Sequence, residues 1–190
     1  ELVMRLSDPI PMRSTTEWTE YQSIASIPLR YGRGVWGECL PYSQDLTRWV
    51  WAGHASQGVD VVTIDGVETL GFEARNIKDS AGKPVTLVIL TDSLDPGRQV
   101  HAKGRGAFDS VTGALIDSPA DVLFDLARIH GATLTRNDLT QLAQECTARN
   151  LRLSFSVTEP ESLQSISRRI AEQLCAVYSP SLPGWLRLLP

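Results

Sequence analysis

The chain has 190 residues, 42% of them hydrophobic and 21% charged, with a net charge of −4. That length suits one ordinary domain or two small ones, burying roughly 70% of the unfolded surface without a disulfide or metal staple, and the composition excludes a disordered chain. The mild acidic balance gives no electrostatic reason to expect nucleic acid or an anionic membrane as partner, no apolar run approaches the roughly 20 residues of a membrane span, and Glu1-Leu-Val-Met-Arg5 carries no signal-peptide pattern, so synthesis in the cytosol is expected.

Residues 1–19 read as an N-terminal extension, and from about residue 20 to 107 the signals are short strands joined by tight turns. Asp65-Gly66, set between the β-branched runs of 59–70, is the strongest hairpin signal in the chain. A strand over 71–77 leads through the turn-rich 78–84 into Val85-Thr-Leu-Val-Ile-Leu90, and Asp95-Pro-Gly97 precedes another strand. These predict an antiparallel β sandwich or partly open barrel. A joint is expected near Phe108 to Gly113, followed by an α/β module over 114–190. There Ser118-Pro-Ala-Asp121 opens a helix by N-cap, N1 proline and first-turn carboxylate, and Gly131 ends it. A second helix is expected from Thr135 with Leu139, Leu142, Ala143 and Cys146 on one face. A strand over Leu151–Val157 follows, then a third helix opened by Thr158-Glu-Pro-Glu161 with the stripe Leu163, Ile166, Ile170 and Leu174, and a last strand from Trp185. The predicted fold class is α+β.

Candidate chemistry is sparse. Gly32, Gly34 and Gly37 in "YGRGVWG" have the G-x-G-x-x-G spacing of a dinucleotide turn, but the following Glu-Cys-Leu-Pro41 does not open the helix whose N-terminus would receive the phosphate. Positive φ or a bulge in a strand is the expected use of these glycines, and no cofactor is expected. His54 lies between strands and is a candidate surface or site residue, while His130, at a helix C-terminus, suits a capping role. Cys39, Cys146 and Cys175 lack metal-ligand spacing and read as reduced, buried small hydrophobes. Trp18, Trp36, Trp49 and Trp51 crowd the first third of the chain, where an interface or a sugar-stacking platform competes with a core role. On the third helix Arg168, Arg169 and Glu172 fall off the apolar stripe and are candidate interface charges, so the interface candidates are Arg168, Arg169, Glu172, Trp49 and Trp51.

Two stretches together carry a family resemblance. Residues 117–188, opening "DSPADVLFDLARIHG", resemble a recurring module of the hub or tail-tip proteins of long-tailed bacteriophages and prophages, in which a Pro-Ala segment opens a helix and a second helix, a strand, a third helix and a final apolar strand follow. Residues 27–76, opening "IPLRYGRGVWGECLPYS" and ending "VDVVTIDGVETLGFEARN", look like the β module that precedes it in such tail proteins. The resemblance implies a non-enzymatic virion component that joins the tail tube to tip or fibre proteins, has tail tube and baseplate proteins as partners, and forms a homo-oligomer, expected to be a trimer, in the tail of a particle made in the bacterial cytoplasm. It carries over no catalytic residue. Full hub proteins are longer, and a chain that begins without Met and stops after a predicted strand reads as part of something longer. A carbohydrate- or host-surface-binding module built on the tryptophans is the alternative function. A hydrolase or nucleotide-dependent enzyme using His54 and the glycines is the weaker one.

Overall fold

The computed structural model describes residues 9, 12, 26–79, 82–131, 136–174, 176–178 and 186–188. The fold is α+β, with antiparallel strands mostly in the N-terminal part and helices after them. The chain divides into two compact units: Met12–Ile116 with Ser154–Glu159, and Asp117–Leu153 with Pro160–Pro190 and Glu1–Pro11.

The β unit holds β1 (Leu29–Tyr31), β2 (Val35–Glu38), β3 (Leu40–Pro41), β4 (Arg48–Ala52), β5 (Ser56–Ile64), β6 (Val67–Thr69), β7 (Phe72–Lys78), β8 (Pro84–Leu90), β9 (Val100–Ala107) and β10 (Phe155–Val157). Two four-stranded antiparallel sheets form in the orders β2-β9-β5-β6 and β3-β4-β8-β7, and β1 pairs with β10. The expected hairpin is present: Asp65 (φ 50°) and Gly66 (φ 83°) take the left-handed conformations of a two-residue type I′ turn, closing Ile64 opposite Val67. Trp51, Val62, Val88 and Val100 belong to one core cluster that draws on both sheets. Along β4 and β8, Val50, Val85 and Leu87 form a second cluster with Ile27. This second sheet is therefore apolar on both faces, which explains why the 85–90 run is nearly continuous rather than alternating. Gly104 is required by packing, since a Cβ there would stand 2.3 Å from Gly58 O and 3.0 Å from the Trp51 ring.

The stretch 108–113, expected as a joint between modules, is instead a tight turn of the β unit. Phe108 bridges Leu115, the Asp109 carboxylate accepts from the amides of Val111 and Thr112, and Ile116 N–H returns to Ala107 O at 2.9 Å. The Asx-type bonding of Asp109 closes the loop locally, and the unit boundary falls at Asp117.

The helical unit contains α1 (Pro119–His130), a 3-10 turn (Arg136–Leu139), α2 (Thr140–Ala148), α3 (Leu163–Gln173), β11 (Ala176–Tyr178) and β12 (Leu186–Leu188). Helix α1 has the expected ends: Ser118 is extended at the N-cap, Pro119 occupies N1, and Gly131 is left-handed at φ 76° with its amide returned to the last turn. Two expectations are corrected, and a third falls partly outside the described residues. Thr135, the expected start of the second helix, lies outside the described residues, and a 3-10 turn precedes α2, which buries Leu142 and Cys146. The strand expected over 151–157 is limited to Phe155–Val157 and pairs with β1 in the β unit, while Leu153 N–H bonds Asp117 O at 2.7 Å in the helical unit. Period-two alternation records that Leu153, Phe155 and Val157 are buried and carries no information about the partner strand. Helix α3 opens at Ser162 rather than Thr158, because the Ser162 hydroxyl accepts from Ser165 N–H at 3.1 Å. Of its expected stripe, Leu163, Ile166 and Ile170 are fully buried, and Leu174, at the C-cap, is half-buried. The final strand is present as β12, with β11, which the sequence did not announce, as its antiparallel partner.

Candidate functional site

A buried polar site in the β unit is centred on Arg30 of β1, which is 1% exposed. Just after β2, Cys39 N–H donates to Val100 O at 2.7 Å, a rung to β9 that turns the carbonyls of Trp36 and Glu38 away from that strand. The Arg30 guanidinium takes both, Nη1 donating to Trp36 O at 3.1 Å and Nη2 to Glu38 O at 2.6 Å, while Nε donates to Trp51 O of β4 at 2.6 Å. Its carbon lies 5.3 Å from the Trp51 ring centroid, within cation–π range. One planar fork thus joins the edge of one sheet to a strand of the other, where no backbone ladder runs between them. Gly37 makes the space, because a Cβ on it would fall 1.5 Å from Nη1.

Burial dominates the electrostatics here. It pushes the guanidinium down from 12.5 to about 10, with Cys39 and Glu38 opposing, so the cation remains charged at neutral pH. The Cys39 thiol, 1% exposed, is pushed up to about 12 by burial, and the Arg30 charge only partly opposes this. A thiol held that high is not a nucleophile at neutral pH.

His54 is built into the same structure. Its Nε2 accepts from Arg30 N–H at 2.9 Å, its Nδ1 lies 3.0 Å from Ala55 O, and its ring sits beside Tyr31 at a centroid distance of 5.7 Å. These partners select the neutral tautomer with the proton on Nδ1. Nearby, the Asn76 amide makes a pair of bonds to Ser56, Oδ1 accepting from its N–H at 3.0 Å and Nδ2 donating to its C=O at 2.9 Å. A side chain of β7 thereby completes a backbone rung for β5.

The tryptophan platform needs correction. Trp49 and Trp51 are 3% and 0% exposed, and their indole N–H groups donate to Leu46 O at 2.8 Å and Ala102 O at 3.2 Å. Both are core residues, because β4 alternates them into the space between the sheets, and neither presents a ring to a partner. Trp18 lies outside the described residues. Trp36 is 49% exposed on the outer face of β2, with Lys103 Nζ 6.0 Å from its ring centroid. The glycine motif is read as structure throughout: Gly32 and Gly34 take φ of 83° and 64°, Gly32 O accepts from Gly106 N–H at 2.8 Å, and the residues after Gly34 form strand β2 rather than a helix.

In the helical unit, Arg169 is engaged by Glu161 in an ion pair. Arg168 and Glu172 are exposed. His130 is buried in the last turn of α1 rather than capping it from the surface. A groove of about 500 Å³ runs between α1 and α2, floored by Ala120, Phe124, Leu139 and Ala143 and crossed by an Arg136–Asp121 ion pair at 3.1 Å. Among the described residues no three His, Cys, Asp or Glu side chains are grouped to hold a metal.

Comparison with protein families, with curated proteins and with solved structures finds no match to this chain. The residue missed from sequence is Arg30. An arginine inside a strand carries no local mark of burial, and Gly37, seven positions later, becomes its signal only once β1 and β2 are known to be neighbours.

Proposed function

We propose that the chain is a structural component of the tail tip or baseplate hub of a phage or prophage-derived particle, joining the tail tube to distal tip or fibre proteins. The module order over residues 27–188 supports this reading. The observation that carries it is how the β unit uses its chemically capable residues: Arg30, His54, Cys39 and the glycines of 32–37 are bonded or packed into a closed backbone framework. Such a framework suits a rigid assembly element. The enzyme alternative relied on His54 and on the glycine motif, and both have these internal uses. No helix among the described residues is long and apolar enough to cross a membrane.

In this reading the chain forms a homo-oligomer, a trimer, about the tail axis, with Arg168, Arg169 and Glu172 of α3 as interface charges. The test is mass spectrometry and cryo-electron microscopy of tails purified from a host expressing the chain with an epitope tag. Stoichiometric recovery at the tail end distal to the head, in a threefold ring, is expected. Recovery of intact, infectious tails that lack the protein overturns the proposal.

A further inference from the structure

The outer face of the β2-β9-β5-β6 sheet has a composition that the assembly role does not require. Val35, Val62, Val100 and Ala102 point into the core, so the alternate residues form an outward surface. The strand register sets these in rows: Trp36, Lys103 and Val61 lie side by side, and Glu38, His101, Thr63 and Glu68 form the next row. Trp36, Glu38, Glu68 and Arg105 are exposed, and Arg105 pairs with Asp60 at 3.4 Å beside the first row. Lys103 lies against the Trp36 ring in a cation–π contact, its Nζ 6.0 Å from the ring centroid.

Three kinds of partner can be weighed against this surface. A protein interface core is depleted in Lys, Glu and Asp, and here Glu38, Asp60, Glu68 and Lys103 surround Trp36 and Val61. A polyanion needs a clustered basic face, whereas the His101, Lys103 and Arg105 column of β9 is flanked by Glu38, Asp60 and Glu68. A neutral polyhydroxylated chain meets neither objection. Each hydroxyl both donates and accepts, so it pairs with carboxylate and ammonium alike, and the positively polarised C–H edges of a sugar ring match the negative face of an indole.

We propose that this sheet face binds a neutral carbohydrate chain, with Trp36 as the stacking residue, Lys103 beside it in the same row, and Glu38, Thr63 and His101 of the next row as further hydrogen-bonding groups. The proposal does not depend on the tail reading, since it concerns binding by the isolated chain.

The experiment is an amide-resonance titration of the full chain with chitohexaose and with maltohexaose, using a heparin fragment as the anionic probe, repeated on Trp36→Ala. Saturable shifts at residues 36, 63, 101 and 103 are expected with a neutral saccharide, with heparin the weaker ligand. Trp36→Ala should weaken that binding by about tenfold or more while keeping the wild-type melting curve. Lys103→Met, which keeps the stem but removes the charge, should weaken binding to a smaller degree. The absence of saturable shifts at these positions with both neutral saccharides, unchanged binding by the Trp36→Ala protein, or tighter binding of heparin would each overturn the proposal.

Discussion

The two units stabilise their chain ends and edges by opposite means. In the helical unit the decisive contacts are local: Ser162 caps the residue three positions on, and Gly131 turns the chain at the end of α1. In the β unit they are distant: Arg30 reaches Trp51, Asn76 reaches Ser56, and the Trp51 indole reaches Ala102 across 51 positions. A helix satisfies its interior backbone groups within one segment, whereas a sandwich leaves groups at sheet edges that only another part of the fold can meet. The difference predicts where a single substitution is severe and where it is mild.

The largest effect is expected at Arg30. Replacing it with Met leaves the carbonyls of Trp36, Glu38 and Trp51 without this donor, and each buried acceptor left unsatisfied costs about 1–3 kcal/mol. Urea unfolding followed by tryptophan fluorescence measures this, and Arg30→Lys should recover little because an ammonium cannot reproduce the planar fork. A wild-type midpoint for the Met variant would show that the three bonds do not stabilise the unit. Gly37→Ala comes next, since the added methyl collides with the guanidinium, and overpacking of this kind costs about 1–3 kcal/mol. Its thermal transition should fall, and combining it with Arg30→Met should be less than additive because the clash disappears with the side chain.

The same site predicts a pH effect. The folded Cys39 thiol is raised to about 12 from an ordinary 9.0, so the unfolded chain ionises first. Its stabilising contribution is therefore complete below pH 9 and declines as pH rises toward 12. Arg30, lowered to about 10 from 12.5, acts in the opposite sense once its own folded form begins to lose a proton. Between about pH 9 and 10 the Cys39 contribution is the larger of the two, so stability should fall there in the wild type and fall less in Cys39→Ala. Iodoacetamide at pH 8 should leave Cys39 unlabelled until the protein unfolds, and rapid native labelling would contradict the burial.

The helical unit sharpens the contrast at smaller scale. Ser162→Ala should cost about 1 kcal/mol, the usual loss of a working N-cap bond. Ser118→Ala should cost clearly less, because the Ser118 side chain makes no cap bond and Pro119 already presets the first turn. Equal losses would show that hydroxyl bonding is not what distinguishes the two caps. The smallest stability effect is expected for Arg168→Ala, whose side chain is exposed. Its melting curve should match the wild type while the light-scattering mass of the assembled oligomer falls, and an unchanged mass would remove Arg168 from the interface.

The elements legible in the sequence share one property, that a few adjacent residues dictate them. Asp65-Gly66 prescribes a two-residue turn because both positions tolerate positive φ, and Ser118-Pro119 with Gly131 brackets α1 by the same backbone chemistry. Alternation likewise identified Leu153, Phe155 and Val157 as buried. It could not tell that the last two join β1. Periodicity also cannot separate Trp51, buried between sheets, from Trp36, half exposed on an outer face, since each alternates within its own strand. Nor does any local signal show that Arg30 is enclosed or that Gly37 exists to admit it. Turns, caps and buried faces follow from the sequence because they arise from φ, ψ preferences and apolar spacing within a few residues. The partner of a strand, the solvent-facing aromatic ring and the carbonyl cage of Arg30 were decided by tertiary structure, because each depends on which distant backbone comes alongside.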